Sequence, residues 1–134
     1  MKFLVKFLLI LTVSSVATLD IDASEKDKKV APGAVISSST ITALGNSSVT
    51  LKDSESPDRN GYILSYAWKQ ISGTSVEISN ANEAVATFTA PNLNTHLDFQ
   101  LTVTNNDKLT STKSITIMIE KELILGLSSN QIWQ

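Results

Sequence analysis

Polar and apolar residues alternate with a period of two along most of the chain beyond Val35. Ser48-Val49-Thr50-Leu51-Lys52 turns Val49 and Leu51 to one side, and Leu97 to Val103 does the same with its four odd positions. Lys113 to Ile119 repeats the pattern with Ile115, Ile117 and Ile119. Side chains alternate faces along an extended strand, so each run predicts a strand with one face buried. Ser75-Val76-Glu77-Ile78-Ser79 predicts another, with Val76 and Ile78 inside. Ala86 to Ala90 ends at Pro91, which cannot donate to a ladder. Ala34 to Ile41 is expected as a first, edge-like strand. In Ile63 to Ile71, Tyr66 and Trp68 stand two residues apart and so share a face. Rings of that size fit between two sheets packed about 10 Å apart.

Seven short runs at regular spacing, separated by turn residues, predict an all-β antiparallel β-sandwich of immunoglobulin-like size. No segment before Glu120 has helical periodicity. The domain is expected over residues 32–120, after a charged linker over 18–31 that includes Glu25-Lys26-Asp27-Lys28-Lys29. Residues 121–134 hold Leu123-Ile124-Leu125 and later Ile132-Trp133, apolar content that a finished sandwich does not need. They either pack on the domain or begin a further module.

The first residues change the picture. Lys2 and Lys6 precede an apolar run from Phe7 to Val13, and small residues at Ser15 and Ala17 offer a cleavage site. That three-part layout predicts a signal peptide over residues 1–17; a cut after Ala23 is disfavoured by bulky Ile21. The apolar run is shorter than the roughly 20 residues of a membrane span, so none is expected after cleavage. Removal of 1–17 takes two of the 11 basic residues and none of the 13 acidic ones, leaving a formal charge of −4. A weakly acidic product has no electrostatic attraction for nucleic acid. With no cysteine, the exported domain rests on core burial, without the disulfides common in small secreted folds.

Five elements in order then resemble one family. Val49-Thr50-Leu51, the turn Ser54-Glu55-Ser56-Pro57-Asp58-Arg59-Asn60-Gly61, Ser65-Tyr66-Ala67-Trp68 with Gln70-Ile71-Ser72-Gly73, Ala86 to Pro91, and Leu97 to Asn105 are similar to PKD domains. The likeness is to the bacterial and dyslexia-associated-protein type and covers about Pro32 to Ile119. It implies an immunoglobulin-like sandwich that is not an enzyme. The expected role is a secreted, periplasmic or cell-surface module that contacts protein or polysaccharide, or acts as a spacer or adhesion domain. The alternative is an accessory domain of a secreted protease or glycosidase whose catalytic part lies outside this chain.

The resemblance also implies where calcium would sit: Asp58 and Asn60 in the turn and Asn105 at the end of the penultimate strand. Only Asp58 is charged, and Asp107 stands two places beyond the family's position. Weak calcium binding at most is therefore expected, and no other cofactor. Turn chemistry alone also explains Asp58-Arg59-Asn60-Gly61, since Asp, Asn and Gly are ordinary turn residues. Catalysis has little to use. His96 is the only histidine, and no nucleophile elbow or phosphate loop frames it. Trp68 is expected in the core rather than as a sugar-stacking platform, while Tyr62 and Trp133 are expected as exposed rings. Asn46-Ser47-Ser48 matches a glycosylation sequon.

Overall fold

The computed structural model describes residues 28–37 and 39–125. The expected signal peptide, most of the linker and Trp133 lie outside the described residues. Six strands form: β1 (Thr40–Leu44), β2 (Ser48–Lys52), β3 (Ile63–Ser72), β4 (Val85–Thr89), β5 (Thr95–Asn105) and β6 (Thr110–Glu120). A four-stranded sheet runs β1-β6-β5-β3, and β2 pairs with β4 in a second sheet. Every pair is antiparallel except β1 with β6. No helix forms among the described residues.

The alternating pattern decides which faces meet. Leu97, Phe99, Leu101 and Val103 of β5 are fully buried, and Ile115, Ile117 and Ile119 of β6 lie beside them. From the other sheet, Val49, Leu51, Ala86 and Phe88 complete the same cluster. The Phe88 and Phe99 rings meet across the layers at 4.7 Å between centroids. Trp68 is buried at 5% exposure and Tyr66 is half-buried on the same face. The Trp68 indole Nε1–H donates to the Glu83 carbonyl at 3.2 Å, and its backbone N–H donates to the Ala81 carbonyl at 2.7 Å. A buried indole needs such a partner for its N–H.

Two expected strands come out differently. Ser75–Ser79 is not a strand; it makes one bridge, Ser79 with Thr87. The Gln70 side chain takes the place of a ladder there. Its Oε1 accepts the Val76 N–H at 3.0 Å, and its Nε2 donates to the Ser72 and Thr74 carbonyls at 3.0 and 2.7 Å. Gly73 permits the turn with φ of 92°, and a Cβ there would stand 2.4 Å from the His96 carbonyl oxygen. Val76 and Ile78 nevertheless pack on the core. The chain reaches the expected side without regular pairing.

The expected strand Ala34–Ile41 is likewise divided. Ile36 bridges Asp53 beside β2, and the chain then crosses to the other sheet as β1. Three bonds hold the first part. The N–H groups of Gly33, Ala34 and Val35 donate to the Pro57 carbonyl, Ser111 Oγ and Ser56 Oγ at 2.9, 3.3 and 3.0 Å. The tail leaves β6 pinned by two side-chain acceptors. Lys121 N–H donates to Asn94 Oδ1 at 2.7 Å and Glu122 N–H to Asn92 Oδ1 at 2.8 Å. Beyond them Leu123, Ile124 and Leu125 are 78%, 82% and 84% exposed, so these three do not pack on the sandwich.

Candidate functional site

The β2–β3 loop and the β5–β6 turn meet at one end of the domain, because Ile63 is opposite Asn105 in the β3–β5 register. Asn106 clamps the two together. Its Oδ1 accepts the Tyr62 N–H at 3.0 Å, and its own N–H donates to the Tyr62 carbonyl at 3.1 Å. Gly61 is what lets Asn106 approach: a Cβ at Gly61 would lie 1.9 Å from Asn106 Oδ1. Asn106 is a structural clamp that the sequence pattern did not reveal. Its partner is 44 residues distant.

All three candidate calcium residues are thus on elements that converge here, and each has local work. The Asp58 Oδ1 accepts the Asn60 N–H at 2.9 Å, the side-chain-to-backbone bond of an Asx turn. Asp58 Oδ2 is buried and has no hydrogen-bond partner. Asn105 is 1% exposed. Its Oδ1 accepts the N–H groups of Asp107 at 3.1 Å and Leu109 at 2.9 Å, closing the turn between β5 and β6. Lys108, in the same turn, adopts φ of 65°. Calcium demands several oxygen ligands. Asp58 Oδ2 suits it, while Asn105 Oδ1 already has two donors. Among the described residues, no group of three or more His, Cys, Asp or Glu side chains could hold a metal ion.

A second polar cluster adjoins the loop and was also not singled out from sequence. Asp53, 6% exposed, accepts the Ser56 N–H at 3.0 Å through Oδ2 and the Ser56 hydroxyl through Oδ1. Ser56 Oγ in turn accepts the Val35 N–H, so a buried carboxylate fastens the entering chain to β2. The Asp-x-x-Ser spacing is the only sequence signal for it. Burial, then the Asp53 charge, pushes the Tyr66 phenol above the ordinary tyrosine value.

His96 is the second residue of β5 rather than part of a loop ahead of it, and it is exposed opposite Met118. Two shallow grooves of about 490 and 500 Å³ flank Ser75–Ser79. One carries Lys69 as its charged residue and the other Glu77. Tyr62 is exposed at 64%, as its place outside the core pattern predicted. No helix among the described residues is long and apolar enough to cross a membrane.

The two sheets, their shared core and the clamped loop end define an immunoglobulin-like β-sandwich. Residues 36–119 match the family model for the K319L-like PKD domain, and the chain belongs to that family. It is 40% identical over 76 residues to the human dyslexia-associated protein KIAA0319, covering 56% of this chain and 7% of that protein. The chain therefore corresponds to a small part of that relative's length. The solution structure of the PKD domain from KIAA 1837 protein superposes with a TM-score of 0.55 at 31% identity, covering 76% of this chain and 95% of that one. A nucleoside hydrolase-related protein from Saccharophagus degradans shares the fold, with a TM-score of 0.62 at 22% identity over 71% of this chain and 27% of that one.

Proposed function

We propose that the chain is an exported, non-catalytic PKD module that contacts protein or polysaccharide outside the cytoplasm, or spaces the domains it is joined to. The family match over residues 36–119 carries this. The signal-like start of the sequence supports export, and the lone charged residue in each groove is consistent with binding rather than turnover. The purified chain should show no turnover of peptide or glycan substrates, and should be retained on a column of its immobilised partner polymer or protein. Turnover abolished by a single substitution in either groove would contradict the assignment.

Within that role we propose weak calcium binding by Asp58, Asn60 and Asn105. The buried, unpartnered Asp58 Oδ2 supports it. With one carboxylate the affinity should fall at or beyond the weak end of extracellular sites, roughly 10⁻⁴–10⁻³ M. Stabilisation by a ligand follows the logarithm of its concentration over the dissociation constant, so millimolar calcium should raise the wild-type melting temperature only slightly. The double variant Asn60→Asp, Asn105→Asp should respond more strongly. Asn105→Asp retains an oxygen for the Asp107 and Leu109 N–H groups while adding charge. Melting curves with and without calcium compare the two proteins. An unresponsive double variant means that these positions do not form a calcium site.

A further inference from the structure

We propose that Asn60-Gly61 is a site of spontaneous deamidation, which adds a carboxylate to the loop end as the protein ages. The reaction needs a backbone nitrogen that can reach the preceding asparagine's side-chain carbonyl. A side chain on the following residue obstructs that approach, and glycine removes the obstruction and frees the backbone. Asn60 is the one asparagine of this chain that precedes glycine. Both residues are exposed and lie outside the strands. No hydrogen bond holds the Gly61 amide among the described residues, whereas the next amide, that of Tyr62, is fixed by Asn106 Oδ1. The Asn106 clamp also favours this glycine, since a Cβ at position 61 would push the Asn106 side chain out of its place. The residue that makes Asn60 reactive is thus favoured by the clamp beside it.

The chemistry balances with water alone. The Gly61 nitrogen loses its proton to solvent and bonds to Asn60 Cγ. The Cγ–Nδ2 bond breaks and ammonia departs, leaving a cyclic imide. Water then opens the ring. Cleavage of the new Cγ–N bond gives aspartate at position 60, and cleavage of the original backbone C–N bond gives isoaspartate. Aspartate puts a second carboxylate two residues from Asp58, whose Oδ2 is already buried without a partner. Like charges at such spacing oppose each other unless a cation lies between them. Isoaspartate adds a methylene to the main chain just before the Tyr62–Asn106 clamp. That the aspartate form gains a calcium response rests on the calcium site proposed above.

The full chain, aged in mildly alkaline buffer, should develop a more acidic form on ion exchange. Peptide mapping by mass spectrometry and enzymatic isoaspartate labelling should place the change at Asn60, ahead of Asn46-Ser47 and Asn106-Asp107. Asn60→Gln keeps the amide but lengthens the side chain, and should suppress the acidic form. The proposal is overturned if Asn60 stays intact while other asparagines change, if Asn60→Gln ages identically, or if Asn60 reacts only in urea. Melting of Asn60→Asp with and without calcium is the separate arm. A flat response there denies the aspartate form a calcium response and leaves the deamidation result standing, while the calcium site itself is judged on the double variant.

Discussion

Trp68→Ala should leave the domain unfolded or insoluble. Removal of a buried tryptophan side chain typically costs about 3–5 kcal/mol, a large part of the roughly 5–15 kcal/mol that holds a domain together. Here the loss would be compounded. The indole fills the space between β3 and the Ala81–Glu83 turn, and its N–H satisfies the Glu83 carbonyl. Without cysteines there is no covalent tie to offset the cavity. Trp68→Phe, which keeps a ring but loses that bond, should fold with lower stability. Circular dichroism and chemical denaturation read both variants. A soluble, cooperatively unfolding Trp68→Ala protein of near wild-type stability would show that the ring is peripheral to the core.

The second large effect is expected at Asn105, and it separates structure from ligand binding. Asn105→Ala removes the acceptor for two backbone N–H groups in a fully buried position. Leaving a buried donor unsatisfied costs about 1–3 kcal/mol. Denaturation without calcium should show that loss for Asn105→Ala, whereas Asn105→Asp keeps the acceptor and bears instead the cost of a buried charge. If Asn105→Ala is as stable as wild type, the β5–β6 turn does not depend on its side chain.

How much of this was legible in the sequence follows from where each interaction lies along the chain. The buried faces of β2, β3, β5 and β6 were readable because parity is local. Once a run alternates, the burial of Val49, Leu101 or Ile117 follows from the pleat alone. Tyr66 and Trp68 were placed by the same rule. The segment Ser75–Ser79 alternates as well as any strand, yet Gln70 supplies the partner for Val76 that a ladder would have given. Periodicity reports which side a residue faces, not which group satisfies its backbone. The N-terminal run failed for a related reason. Its residues do not alternate: three apolar residues, Ala34 to Ile36, precede four polar ones. The Ala34 and Val35 N–H groups donate to Ser111 and Ser56 before Ile36 bridges Asp53 and Thr40–Leu44 pairs with β6.

At the loop end, residue types pointed to Asp58, Asn60 and Asn105, and chain topology does bring their elements together. Asn106 was missed because its role exists only after distant segments meet, and Asp53 because its local bond to Ser56 gains a role only once Val35 arrives. The Asn106 clamp on Tyr62 depends on the β3–β5 pairing, and the tie from Ser56 to Val35 depends on the first strand's crossing. Side-chain to backbone bonds of this kind have no period to read.

A module that contacts or spaces other domains must fold on its own, and one measurement tests that directly. Residues 32–120, expressed without the flanking segments, should unfold in a single cooperative transition. The midpoint, followed by circular dichroism, should lie close to that of the full chain, because the core cluster is contained within those residues. The exposed Leu123, Ile124 and Leu125 contribute no burial to be lost. A non-cooperative or strongly destabilised 32–120 segment would contradict the account of this chain as an autonomous PKD module.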